Sequence, residues 1–133
     1  LSSAASDVYK RQKNAGGTIL NPFDSNIRSL LVAIYELGVN EIMVIAHTTC
    51  GACHMDGEEM IGLMKQRGIA EETLETIRHC GIHLNEWLEG FHDTEESVRK
   101  TVDCIRNHPL VPNDVNVRGF IIDSVTGELT SIC

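Results

Sequence analysis

No stretch of this 133-residue sequence stays apolar for anything near the roughly 20 residues that a membrane-crossing helix needs, so a membrane is not an expected partner. Positive charge is scarce as well. Eleven Lys and Arg stand against 19 Asp and Glu, a formal net charge of −8. Phosphate backbones are bound by clustered cations, so nucleic acid is not expected either. Neither a Gly-x-Gly-x-x-Gly fingerprint nor a Walker pattern occurs, and Gly16-Gly17 reads as a loop rather than a nucleotide cradle. Leu1 to Gln12 lacks the continuous apolar core of a secretory signal. No internal repeat or linker is evident.

What remains is the composition of an ordinary globular domain, 42% hydrophobic and 23% charged. Its length suits one domain with one real core. The five cysteines, Cys50, Cys53, Cys80, Cys104 and Cys133, are odd in number and scattered. That is no disulfide framework, and a reducing, cytoplasmic setting is expected.

Periodicity lays out the elements. Lys13 to Gly17 is a loop. Asp24 or Ser25 caps a helix with Ile27, Leu30, Leu31, Ile34 and Leu37 at helical spacing, and Gly38 ends it. Residues 41–46 form a strand. Helices follow over 56–67 and 70–80, with a short segment around 84–88. The clearest helix is 94–107, where Asp93 and Glu96 form a cap and Val98, Thr101, Val102 and Ile105 make one face. Pro109 and Pro112 break the chain, a strand runs from Val115 to Asp123, and a turn at 123–127 leads into a last strand, 128–132. Strands separated by helices predict an α/β fold: a mainly parallel sheet flanked by helices, with an antiparallel edge strand from a C-terminal hairpin.

The feature richest in chemistry is Ile42-Met43-Val44-Ile45-Ala46-His47-Thr48-Thr49-Cys50-Gly51. Buried parallel strands read as continuous apolar runs, and open α/β sheets place their ligand sites at strand C-terminal ends. Imidazole nitrogen and thiolate sulfur are zinc's preferred donors, so His47 and Cys50 are candidate metal ligands. Cys53 and His54 extend the pattern to His-x-x-Cys-x-x-Cys-His, whose spacing alone permits a four-ligand zinc site. A helix start near Cys53 argues against that extension. Cys80, Cys104 and Cys133 read as packing or surface thiols, and His79, His83, His92 and His108 as solvated. Asp56, Glu58 and Glu59 open a helix. Trp87 and Phe91 read as a core or dimer contact.

In order along the chain, Asn14-Ala15-Gly16-Gly17, Ser29-Leu30, Leu37-Gly38-Val39, Glu41-Ile42, His47 to Gly51, Met55-Asp56, Glu59-Met60-Ile61, Ser97-Val98, Asn107-His108-Pro109-Leu110, Gly119 to Asp123 and Thr126-Gly127-Glu128-Leu129 together resemble the β-class carbonic anhydrases of the short bacterial kind. The resemblance covers residues 13–132. It implies zinc-dependent reversible hydration of carbon dioxide to bicarbonate, and a homodimer or larger homo-oligomer. His47 and Cys50 match two of the family's three protein ligands, and the Gly51 amide would suit a developing anion. The other ligand is a cysteine in a Cys-x-Asp-x-Arg motif upstream of the Asn-Ala-Gly loop, and this sequence has no such motif. The missing cysteine and Asp–Arg pair are expected to impair activity. Twelve residues cannot supply the helix and strand that the family places between motif and loop. Residues 1–12 are therefore expected to be a non-family or artefactual segment, and 13–133 a β-carbonic anhydrase-like domain without its N-terminal part. Two alternatives carry other activities: a carbon disulfide or carbonyl sulfide hydrolase of the same fold, and a non-catalytic zinc-binding module that uses Cys53.

Overall fold

The computed structural model describes residues 11–19 and 21–133. Apart from Arg11 and Gln12, the segment expected to be foreign thus lies outside the described residues. Helix α1, Ser25–Leu37, begins where the Asp24 carboxylate accepts from the Ile27 N–H at 2.9 Å, and it ends at Gly38 with φ 69°. Strand β1 is Glu41–His47. A 3-10 turn, Gly51–His54, follows it, and then come α2 (Gly57–Gln66), α3 (Glu71–His79), α4 (Leu84–Leu88) and α5 (Thr94–Arg106). Strands β2 (Asn116–Ile122) and β3 (Leu129–Ser131) complete the order. Among the described residues no helix is long and apolar enough to cross a membrane.

The sheet order is β1-β2-β3. β1 and β2 are parallel, in register from Glu41 opposite Asn116 to His47 opposite Ile122. β3 returns antiparallel, pairing Leu129 with Ile122. The fold is therefore α/β, with helices on a mixed sheet whose edge strand comes from the C-terminal hairpin.

One sheet face carries the main core. Ile42, Val44 and Ala46 of β1 and Val117 of β2 cluster with Ile27 and Ile34 of α1 and with Val98, Val102 and Ile105 of α5. Gly119 lets α5 approach: a Cβ there would lie 2.5 Å from Val98 Cγ1 and 3.0 Å from Val102 Cγ2. The opposite face differs from what the apolar run predicts. β1 alternates between exposed and buried rather than being covered twice, and Met43 and Ile45 remain 49% and 46% exposed. Among the described residues β1 pairs on one side only, with β2, so a continuous apolar run here marks a strand covered on one face.

A second, smaller cluster of Ile61, Leu74, Leu84 and Leu88 holds α2, α3 and α4 together. Gly57 fixes its seam, because a Cβ there would stand 2.2 Å from the Asn85 carbonyl oxygen. Trp87 is 60% exposed, so it is not core within this chain.

His108 corrects the sequence reading. It is 4% exposed rather than solvated. Nε2 lies 2.7 Å from the Pro22 carbonyl oxygen, Nδ1 accepts from the Leu110 N–H at 3.1 Å, and the ring packs 5.2 Å from the Phe23 ring. A carbonyl only accepts, so the ring is the neutral Nε2–H form and both nitrogens are satisfied by backbone. That satisfaction is what lets a polar ring be buried. His108→Phe keeps an aromatic ring but leaves the Pro22 carbonyl and the Leu110 N–H without their partner. It is expected to lower stability by about 1–3 kcal/mol in urea unfolding. Gly119→Ala should cost about 1–3 kcal/mol by overpacking under α5.

Candidate metal centre

The ladder between β1 and β2 ends at the candidate residues. Thr48 N–H donates to Ile122 O at 3.0 Å, just past the His47–Ile122 pair. Strand alternation puts His47 on the open face with Met43 and Ile45, exposed to solvent. Three residues on, Cys50 is turned inward and is 7% exposed. Thr49 makes the change of direction with φ 54°. Left-handed backbone at a β-branched residue is an outlier that surrounding structure must hold in place.

The His47 ring has a fixed orientation. Its Nδ1 lies 2.8 Å from the Thr48 carbonyl oxygen. Since a carbonyl only accepts, Nδ1 carries the proton and Nε2 is left with a free lone pair. Metal-bound histidines use this arrangement, donating the other ring N–H to a backbone carbonyl or carboxylate. A free imidazole nitrogen and a buried thiol three residues apart suit zinc chemically, as two donors of a larger set.

Cys53 and His54 do not complete that set. Cys53 Sγ donates to His92 O at 3.6 Å, and His54 is exposed at the end of the 51–54 turn. Among the described residues no three His, Cys, Asp or Glu side chains come together to hold one metal ion. The turn is a 3-10 element, and the next α-helix starts only at Gly57, after Asp56 has capped it by accepting from Glu59 N–H. Gly51 is exposed, its φ is not positive, and a Cβ on it would meet nothing within 4 Å. Neither packing nor conformation requires glycine there. A cleft of about 430 Å³ runs beside the turn, lined by Ala52, Met55, Trp87, Phe91 and Ser97 among others, and it includes neither His47 nor Cys50.

The carbonic anhydrase family model matches residues 2–129. This chain belongs to the β-carbonic anhydrase family. It is 43% identical over 120 residues to the putative carbonic anhydrase YtiB of Bacillus subtilis, a match covering 90% of this chain and 64% of that protein. A carbon disulfide hydrolase of Acidithiobacillus thiooxidans is 32% identical over 124 residues, covering 88% of this chain and 60% of that one. Among solved structures, the β-carbonic anhydrase isoform I of Trichomonas vaginalis superposes with a TM-score of 0.77 at 35% identity, covering 89% of this chain and 64% of that one. The chain thus spans about two thirds or less of the length of these family members.

Sequence reasoning passed over the residues that surround the β-carbonic anhydrase-like loop. Ser124 N–H donates to Thr48 Oγ1 at 3.0 Å, and Ser124 Oγ lies 3.1 Å from both Thr48 Oγ1 and Thr49 Oγ1. The signal was available: strands that end opposite each other bring their following loops together. The Ser124 turn is held by Asp123, whose Oδ1 accepts the Thr126 and Val125 N–H groups at 2.8 Å each. Those bonds, Thr126 first, hold the Asp123 carboxyl below the usual carboxylate range. A lowered folded pKa contributes stability that is present above the unfolded value, about 3.9, and is lost as pH falls through the folded one. Carboxyl NMR should show Asp123 titrating below about 3.9, and Asp123→Asn should remove that acid-dependent loosening of the 123–127 turn.

Proposed function

We propose that this chain carries out the reversible hydration of carbon dioxide to bicarbonate at a zinc ion held by His47 and Cys50. The observation that supports it best is the exposed His47 ring, whose Nδ1 is engaged by Thr48 O so that Nε2 is left free, three residues before the buried Cys50. Zinc, when bound, supplies a Lewis acid that makes water a nucleophile near neutral pH. His47 and Cys50 bind and orient the ion. The Gly51 amide, one residue past Cys50, donates to negative charge developing on the substrate oxygen, and the absence of a side chain leaves it open to a small ligand. A catalytic zinc takes three protein ligands and keeps one open position, so the pair is one donor short. Cys53 Sγ is engaged by His92 O, so a partner subunit is the candidate source of the third. The half-exposed Met43 and Ile45 support a homodimer or larger assembly. Five free thiols support a reducing, cytoplasmic setting.

The likeness to a carbon disulfide hydrolase favours a second reading, in which the same residues act on carbon disulfide or carbonyl sulfide. Function lives in the site and its access route, so product analysis on each substrate separates the two.

The test begins with elemental zinc analysis of the purified 133-residue chain, followed by stopped-flow carbon dioxide hydration. Near one zinc per chain with measurable hydration is the expected result. His47→Ala or Cys50→Ala should then abolish metal binding. Gly51→Ala should keep the fold within about 0.5 kcal/mol and retain the metal, yet lower kcat/KM roughly tenfold or more by crowding the amide. Little or no zinc would overturn the reading for this chain. Loss of metal in Cys53→Ala without any hydration in the parent would favour a zinc-binding module instead.

A further inference from the structure

We infer that Ser124, on the turn between β2 and β3, is a positioning residue for His47: through Thr49 and Thr48 it holds the carbonyl that fixes the His47 ring. The inference deepens the proposed function, since it rests on His47 being a ligand, but its geometry is independent of any metal. Each hydroxyl has one proton, and that determines the direction of the whole chain of bonds. Thr49 Oγ1 lies 2.7 Å from Thr48 O, which can only accept, so the Thr49 proton goes there. Thr49 Oγ1 must then accept from Ser124, at 3.1 Å. The Ser124 proton is thereby used, so Thr48 Oγ1 donates to Ser124 Oγ at 3.1 Å while accepting from Ser124 N–H at 3.0 Å. Thr48 O receives both the Thr49 hydroxyl and His47 Nδ1–H, which fill its two lone pairs.

The arrangement bears on His47 because Thr49 is strained. With φ 54° at a β-branched residue, the Thr48–Thr49 peptide stays in its orientation only while something grips it. Ser124 is that grip, and it comes from a different strand, set in place by the Asp123 turn rather than by the loop itself. Without the Ser124 hydroxyl, Thr49 is free to leave the left-handed region. The Thr48 carbonyl then turns away, and Nδ1 loses the acceptor that keeps its proton. The ring is left to exchange tautomers and orientation, and Nε2 is no longer held toward a ligand position.

Long-range 15N–1H NMR of the His47 ring reads this directly in the metal-free chain, at a pH well above the usual imidazole value of about 6.5. The parent is expected to show the Nδ1–H form. Ser124→Ala should give a mixture of tautomers, Ser124→Thr should restore the parent signal, and the unfolding midpoint should stay that of the parent in both. Thr49→Gly, which relieves the strain and removes the hydroxyl, should also lose the single tautomer. In any preparation that takes up zinc, Ser124→Ala should weaken binding by about 10–100-fold, as loss of an orienting partner does, and Ser124→Thr should not. An Nε2–H parent, or a His47 signal unchanged in Ser124→Ala and Thr49→Gly, would overturn the inference. Failure to bind zinc or hydrate carbon dioxide would sink the proposed function while leaving the tautomer result to stand or fall alone.

Discussion

The parallel ladder between β1 and β2 is the constraint on which the rest of this molecule depends. Its register sets His47 opposite Ile122 and carries one rung further, from Thr48 N–H to Ile122 O. Slipping the ladder by one residue would send Ile42, Val44 and Ala46 to the open face and His47 into the core. The cover supplied by α1 and α5 makes that slip costly, because both helices bury their apolar stripes on the same alternate residues. Gly119 adds a steric lock, since α5 fits closely only over a residue without a side chain. Core packing and site geometry are thus specified by one register.

Most of this was legible from period and capping. The helix after Asp24, the helix after Asp93 and the two long strands lie where apolar spacing and cap residues put them, within a residue or two at their ends. What escaped was information carried between segments. His108 is polar and follows a helix end, which suggests solvent, yet its two partners, Pro22 O and Leu110 N, include one 86 residues away. Periodicity cannot see such a partner. The Asp123–Gly127 stretch read correctly as a turn, but its second role, facing the His47 loop, exists only once β1 and β2 are paired.

The site shows the same division. Local sequence places His47 and Cys50 at a strand end, and the structure adds why they differ in environment: alternation leaves the first outside, and the left-handed Thr49 turns the second in. Cys53 and His54, which spacing alone would recruit, are carried off by the 3-10 turn toward His92 and solvent. Spacing in sequence is therefore a poor guide to convergence where the backbone changes its pitch within four residues.

The two hydrophobic clusters share no residue, and the two candidate ligands lead toward different ones. His47 belongs to the sheet. Cys50 leads into a turn clasped by the 90–92 segment: the Ala52 carbonyl lies against Gly90, Gly90 N–H reaches Met55 O at 2.9 Å, and Cys53 Sγ reaches His92 O. That segment continues from α4, which belongs to the smaller cluster. Proteins open in cooperative units of unequal stability, and His47 ends a strand of the sheet whereas the turn after Cys50 is tied to the segment leading from the helical cluster. A ligand bound by both residues would join the two like a rivet through two plates, so its binding would stiffen the helical cluster against the sheet with no new contact between them.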